Sequence, residues 1–277
     1  YSSAASDVYK RQIEGNKYDQ DRRGELLDRF SAIPEQEKLA GFIVAFIVAK
    51  AFKMRLETES DWREVLCRVV TIPGNHDEIR TDPPLRTYHE TLTSVLADIL
   101  ERELSQHGVS YREIRSLLRE KVVLLSNPSV DVKNGIGLLH EYSGSAEQST
   151  YKTQKASKQF LVLSRQTNCL LMANHHEENF LILRVGNRTI QLCHLGTMKR
   201  FYSFESKRSK ISEFGVAVIK DKWIDDQLVS TTVKFIPSVI DFDMQKGEEY
   251  QEKNRLRGIK YAEILKNYET KGELPEL

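Results

Sequence analysis

The chain has 277 residues, 40% of them hydrophobic, and its 41 basic and 40 acidic side chains leave a net charge of +1. That length supports one large α/β core with a small accessory region, and the charge balance excludes bulk electrostatics as the basis of binding, so any nucleic-acid face must be a local patch. Cys67, Cys169 and Cys193 lie in apolar segments without metal-type spacing, no signal peptide is readable, and the longest apolar stretch, Leu39 to Phe52, is too short for a bilayer; the expectation is a soluble, non-secreted protein, cytoplasmic or nuclear, with reduced thiols.

Residues 1–12, Tyr-Ser-Ser-Ala-Ala-Ser-Asp-Val-Tyr-Lys-Arg-Gln, have no apolar period and resemble a translated sequencing adapter, so they read as a non-native or disordered leader. Ile13 to Asp19 reads as a strand end entering a loop, and Gly24 to Phe30 opens a helical stretch. A helix is expected from Glu35 to Leu56, apolar along its middle, with Leu39 to Phe52 reading as buried and amphipathic. Val65 to Pro73 is β-branched and ends at Pro-Gly, which predicts a buried strand of a parallel sheet. Residues 87–119 repeat apolar positions at three- and four-residue intervals (Leu92, Val95, Leu96, Ile99, Leu100, Leu104) and predict helix. Strands follow at 122–126 and 136–139, then a polar linker over 143–158 and apolar runs at 159–163 and 169–173. From Phe180 the pattern turns to β, with a hairpin signal at Gly186-Asn187 between 180–185 and 189–193, and further strands at 214–219 and 229–236. The charged tail from Gly247 predicts an exposed helix over 254–268.

The densest chemical signal is Gly74-Asn75-His76-Asp77, directly after the strand predicted at Val65 to Pro73. A tight Gly turn at the carboxyl end of a strand holds short polar side chains rigidly, where open α/β sheets keep their ligands. His140 ends the strand predicted at 136–139, and Asn174-His175-His176 follows the apolar run at 169–173. These are the residue types that bind Mn, Fe or Zn. His89 and His107 fall in the helical region and read as solvent or packing residues.

Gly74 to Asp77 resembles the GNHD signature of the calcineurin-like metallophosphoesterases. The resemblance implies a layered αββα sandwich with a β-rich C-terminal half, over residues 13–240, with 241–277 a charged tail or the start of a capping region. It implies two divalent cations, Mn²⁺ first and Fe or Zn as alternatives. Asn75, His140 and His176 are the implied ligands, and either Asn174 or His175 stands where the pattern has its first paired His. His76 is implied to stabilise or protonate the reacting phosphate, with Asp77 orienting it. Gly15-Asn16 through Asp19 resembles the family's GD element, with Asn16 in place of the bridging carboxylate and Asp19 nearby. The family's first DxH element has no match, so the resemblance implies missing first strands, a truncated fragment, and no activity from the chain as it stands.

Ile190 to Arg200, Glu213 to Ile219 and Thr232 to Pro237 resemble, in order, downstream segments of SbcD-type DNA double-strand-break repair exonucleases. That branch implies DNA as substrate and phosphate contacts from Lys199, Arg200, Lys207, Arg208 and Lys210. It also implies an SMC-like coiled-coil ATPase as partner, with the tail helix as its dock, and a homodimer as another assembly. Two other readings stay open. One is a phosphoesterase acting on nucleotides or phosphoproteins. The other is a degenerate, non-catalytic relative that binds DNA or a partner.

Overall fold

The computed structural model describes residues 33–58, 61–74, 85–131, 135–140, 167, 169–173, 179–185, 188–195, 215–224, 227–237 and 244–274. They form a mixed α/β protein. The chain divides into a mainly helical unit, holding the described residues up to Val70, 85–124 and 244–274, and a β unit holding 71–74 and 125–237. No helix among the described residues is long and apolar enough to cross a membrane.

The helical unit contains α1 (Ile33–Leu56), α2 (Trp62–Val65), α3 (Arg86–Leu104), a 3₁₀ turn (Ser105–His107), α4 (Tyr111–Lys121) and α5 (Met244–Lys271). Its core is the packing of α1 on α3: Phe42, Phe52, Leu92, Leu96, Ile99 and Leu100 are almost wholly excluded from water, each such side chain contributing about 1.5–3 kcal/mol. α1 is buried, as expected, but not amphipathic: consecutive residues from Leu39 to Ala45 are buried, and only beyond them does Ile47 emerge. A helix apolar on nearly every side is a central helix rather than a surface one. At the start of α3, Leu85 adopts a left-handed backbone and offers no side-chain cap. The cap comes from α1, where the buried carboxylate of Glu37 accepts a hydrogen bond from the Tyr88 N–H at 3.3 Å. A carboxylate there also meets the positive end of the helix dipole.

Two expectations over this stretch are corrected. The run from Val65 to Pro73 is not one buried strand. Asp61 caps a short helical turn, its side chain accepting from the Arg63 N–H at 2.9 Å, an N-cap signal that outweighs the apolar pattern. Only β1 (Val69–Thr71) is a strand; it is half-buried and pairs with β2 (Val122–Leu124) in a two-stranded sheet. Likewise the helical period over 87–119 is interrupted. Gly108 takes a left-handed conformation after the 3₁₀ turn, and a capping box between Ser110 and Glu113 starts α4 afresh. Those Ser110 hydrogen bonds hold the Glu113 carboxyl below its ordinary range.

The β unit carries a five-stranded sheet in the order β3-β4-β5-β7-β6, from β3 (Ser129–Asp131), β4 (Ile136–His140), β5 (Cys169–Ala173), β6 (Asn179–Val185) and β7 (Arg188–His194). Its three inner strands, β4, β5 and β7, are parallel, while the outer two run antiparallel to their neighbours. Leu139, Leu170, Met172, Ile190 and Leu192 form an apolar cluster on one face. Leu138, Cys169, Leu171 and Cys193, on the opposite face, are also buried, as continuous apolar strands of a parallel sheet require. β6 and β7 pair with Val185 opposite Arg188, agreeing with the predicted hairpin. A separate antiparallel ribbon joins β8 (Gly215–Ile224) to β9 (Gln227–Pro237), both longer than the sequence pattern indicated. The leader, the segment 13–32, the linker over 143–158 and the run 159–163 lie outside the described residues.

α5 differs from the exposed tail helix that was expected. Ala262 and Leu265 are buried, Phe42 of α1 packs on the Tyr268 ring at 6.1 Å between centroids, and the Tyr268 hydroxyl donates to Asp98 of α3. Charge composition hid this face, because only one residue in three or four of a docking helix needs to be apolar.

Candidate metal centre

In a sheet with parallel inner strands, the carboxyl ends of those strands are where a site is built. β4 ends at His140 and β5 at Ala173, which are register partners. β7 ends at His194, opposite Met172 of β5. His140 and His194 are both buried, each 6% exposed.

His140 is the one metal-ligand candidate of the sequence that falls among the described residues. Its backbone is held from β3's side by Asn127: the Asn127 Oδ1 accepts from the His140 N–H at 2.9 Å, and the Asn127 Nδ2 donates to the His140 carbonyl at 2.9 Å. The β3–β4 register, with Ser129 opposite Leu138, would bring residue 127 opposite residue 140. Asn127 thus supplies with its side-chain amide the donor and acceptor that a further backbone pair would supply. Two hydrogen bonds, one to each peptide group flanking the His140 Cα, fix where the imidazole leaves the sheet. Its Nε2 is a buried nitrogen that makes no hydrogen bond to a described residue. An imidazole so placed at a strand end is chemically suited to Mn, Fe or Zn.

Register also decides what His194 does. Paired residues share a face and successive residues alternate. His140 therefore lies on the Ala173 face and His194 on the Met172 face, among Leu192 and Ile190 of the apolar cluster. The two histidines leave the sheet on opposite sides, so they are not co-ligands across one face. Sequence reading ended β7's apolar run one residue early and passed over His194. Asn127 gave no stronger signal than a turn before Pro128.

Of the GNHD segment, Gly74 is described and half-buried just past β1. Asn75, His76 and Asp77 lie outside the described residues, as do Asn16, Asp19, Asn174, His175 and His176, and the basic positions Lys199, Arg200, Lys207, Arg208 and Lys210. Among the described residues no three His, Cys, Asp or Glu side chains come together as a metal-binding group. His89 is a half-buried residue of α3 whose burial pushes its imidazole below the ordinary range, and His107 is exposed in the 3₁₀ turn. Both accord with packing or solvent roles. Comparison with protein-family models and with curated proteins gives no match.

Proposed function

We propose that the chain is a metal-dependent phosphoesterase of the layered αββα type, acting on phosphodiester bonds of DNA as a nuclease subunit in repair or recombination. The observation that supports this most is the position of His140: buried, clamped by Asn127, and closing a parallel inner strand. Beside it stands Ala173, the last described residue before Asn174-His175-His176. In this reading Asn75, His140 and His176, with Asn174 or His175, hold two divalent cations, Mn²⁺ first, and Asn16 and Asp19 complete the set. Such ions, if held there, would supply Lewis acidity and a more acidic water for phosphodiester hydrolysis. His76, oriented by Asp77, stabilises the phosphoryl oxygen or protonates the leaving oxygen.

Asn16 and Asn174, neutral amides where the resemblance has stronger ligands, favour a second reading, a non-catalytic relative that binds DNA or a partner. Metal content after Mn²⁺ loading and desalting separates the two, measured on the full-length protein. About two ions per chain, with His76→Ala abolishing DNA hydrolysis but keeping the metal, is the expected result. A chain that retains no stoichiometric metal overturns the enzyme reading and leaves the binding one.

A further inference from the structure

We infer that the lysine-bearing face of the β8–β9 ribbon is a docking surface for the phosphate backbone of DNA. Over its middle the ribbon is two-sided, although Asp221 and Thr231 continue the apolar side and Val216 and Ile236 the other. Ala217, Ile219, Val233 and Phe235 share one face by register, Ala217 opposite Phe235 and Ile219 opposite Val233, and are buried or half-buried. On the other face Lys220 stands opposite Thr232, Lys222 opposite Ser230 and Lys234 opposite Val218. Lys220, Lys222, Thr232 and Lys234 are all exposed, and no register position of that face is acidic.

Lys220 and Lys222 are two residues apart on one strand, about 7 Å. Lys234 is diagonal to Lys220 at a similar distance, about 7–8 Å. Three like charges this close repel one another, and among the described residues none of them makes an ion pair. In a chain of net charge +1, this face gathers three lysines, with no acidic residue at its register positions. Its complement is a surface with negative charges at comparable spacing. A two-stranded ribbon fits the major groove of duplex DNA, and the 10 residues of β8 span about 33 Å, close to one helical turn of about 34 Å. A simpler role for lysines on exposed strands is to prevent edge-to-edge pairing, and that role predicts no effect on DNA.

The identity of the polyanion rests on the nuclease reading above; the ribbon's charge does not. The test is binding of fluorescein-labelled duplex DNA in EDTA, where no turnover occurs, over a series of salt concentrations. The K220Q/K222Q/K234Q variant is expected to bind at least tenfold more weakly at about 0.1 M salt, and its log K against log salt slope should fall by about 2.7. The K50Q/K260Q/K266Q variant removes as many exposed lysines from the helical unit and should leave the slope unchanged. Equal urea midpoints for both variants and the parent establish that folding is intact. An equal loss in both variants, or no loss in the first, overturns the proposal. So does a loss confined to phosphatidylserine vesicles, which would assign the face to a membrane. A chain that holds metal yet keeps its slope refutes the ribbon alone; a chain that holds no metal yet loses its slope refutes the catalytic reading alone.

Discussion

Asn127 and His140 show how a single side chain finishes a sheet. β3 begins at Ser129, yet the backbone N–H and carbonyl of His140 still need an acceptor and a donor, because the residue is buried at the strand's end. Asn127 provides both at 2.9 Å. Each such bond is worth about 1 kcal/mol net, and an orphaned buried peptide group costs about 1–3 kcal/mol. Asn127→Ala is therefore expected to lower stability by about 2–4 kcal/mol in urea denaturation. It should also shift the ¹⁵N resonances of the His140 ring, since the imidazole loses its anchor. Asn127→Asp keeps the acceptor but loses the donor, and should recover only part of both effects. Unchanged His140 resonances in the Ala variant would show that the clamp does not position the ring. His140 as a strand-end residue was legible from the apolar run before it. Its clamp was not, because Asn-Pro marks a turn and says nothing about which peptide the amide will reach.

At the level of elements, the contact between α1 and α3 depends on Gly41. A Cβ built there meets the Tyr88 carbonyl oxygen at 2.5 Å and the Leu92 nitrogen at 3.1 Å, so backbone would have to move. Helix propensity alone favours Gly41→Ala by about 1 kcal/mol. Overpacking opposes it by about 1–3 kcal/mol, and here the obstacle is backbone rather than a side chain that can swing aside. The expected outcome is net loss of stability, read as a lower urea midpoint. A higher midpoint would mean the helices separate at little cost. The existence of both helices was plain from composition and period, and so was most of their extent. What hid the break between α3 and α4 was the apolar period itself, which continues through Ile114 and Leu118 across a glycine and a capping box. The strand ahead of Gly74 was overcalled for the opposite reason: Asp61 and Trp62 start a helical turn inside an apolar, β-branched context.

Across the helical unit, long-range closure runs through Asp98. Its carboxylate accepts from the hydroxyls of Tyr268 on α5 and Tyr111 on α4, tying three helices at one point. Lys38 of α1 also meets Glu269 at 3.3 Å, but a partly exposed pair of this kind contributes little. Burial first, and then the Asp98 charge, push the Tyr268 phenol far above its ordinary value of 10.0. A proton held more tightly in the folded state gives a contribution that is complete below the unfolded pKa, near 10.0, and is lost as pH rises through the folded one. Going from about pH 9 to about pH 11, the parent should therefore lose more stability than Tyr268→Phe. Parallel losses in urea denaturation would show that the phenol is not coupled to folding. The same return of α5 explains why a helix that is mostly charged in sequence is held within the unit.

By itself the sequence determined which segments are helix and which are strand over most of the described chain, because periods of 3.6 and 2 follow from backbone geometry alone. It also placed His140 at a strand end and put a hairpin between β6 and β7. Only the tertiary structure decided which strands are neighbours, and with them which faces residues share. It set His140 and His194 on opposite faces, turned Asn127 into a backbone substitute, buried a face of the tail helix, and gathered Lys220, Lys222 and Lys234 on one side of a ribbon. Each of these depends on register or on contacts between residues distant in the chain, and neither is encoded in the local pattern that a sequence displays.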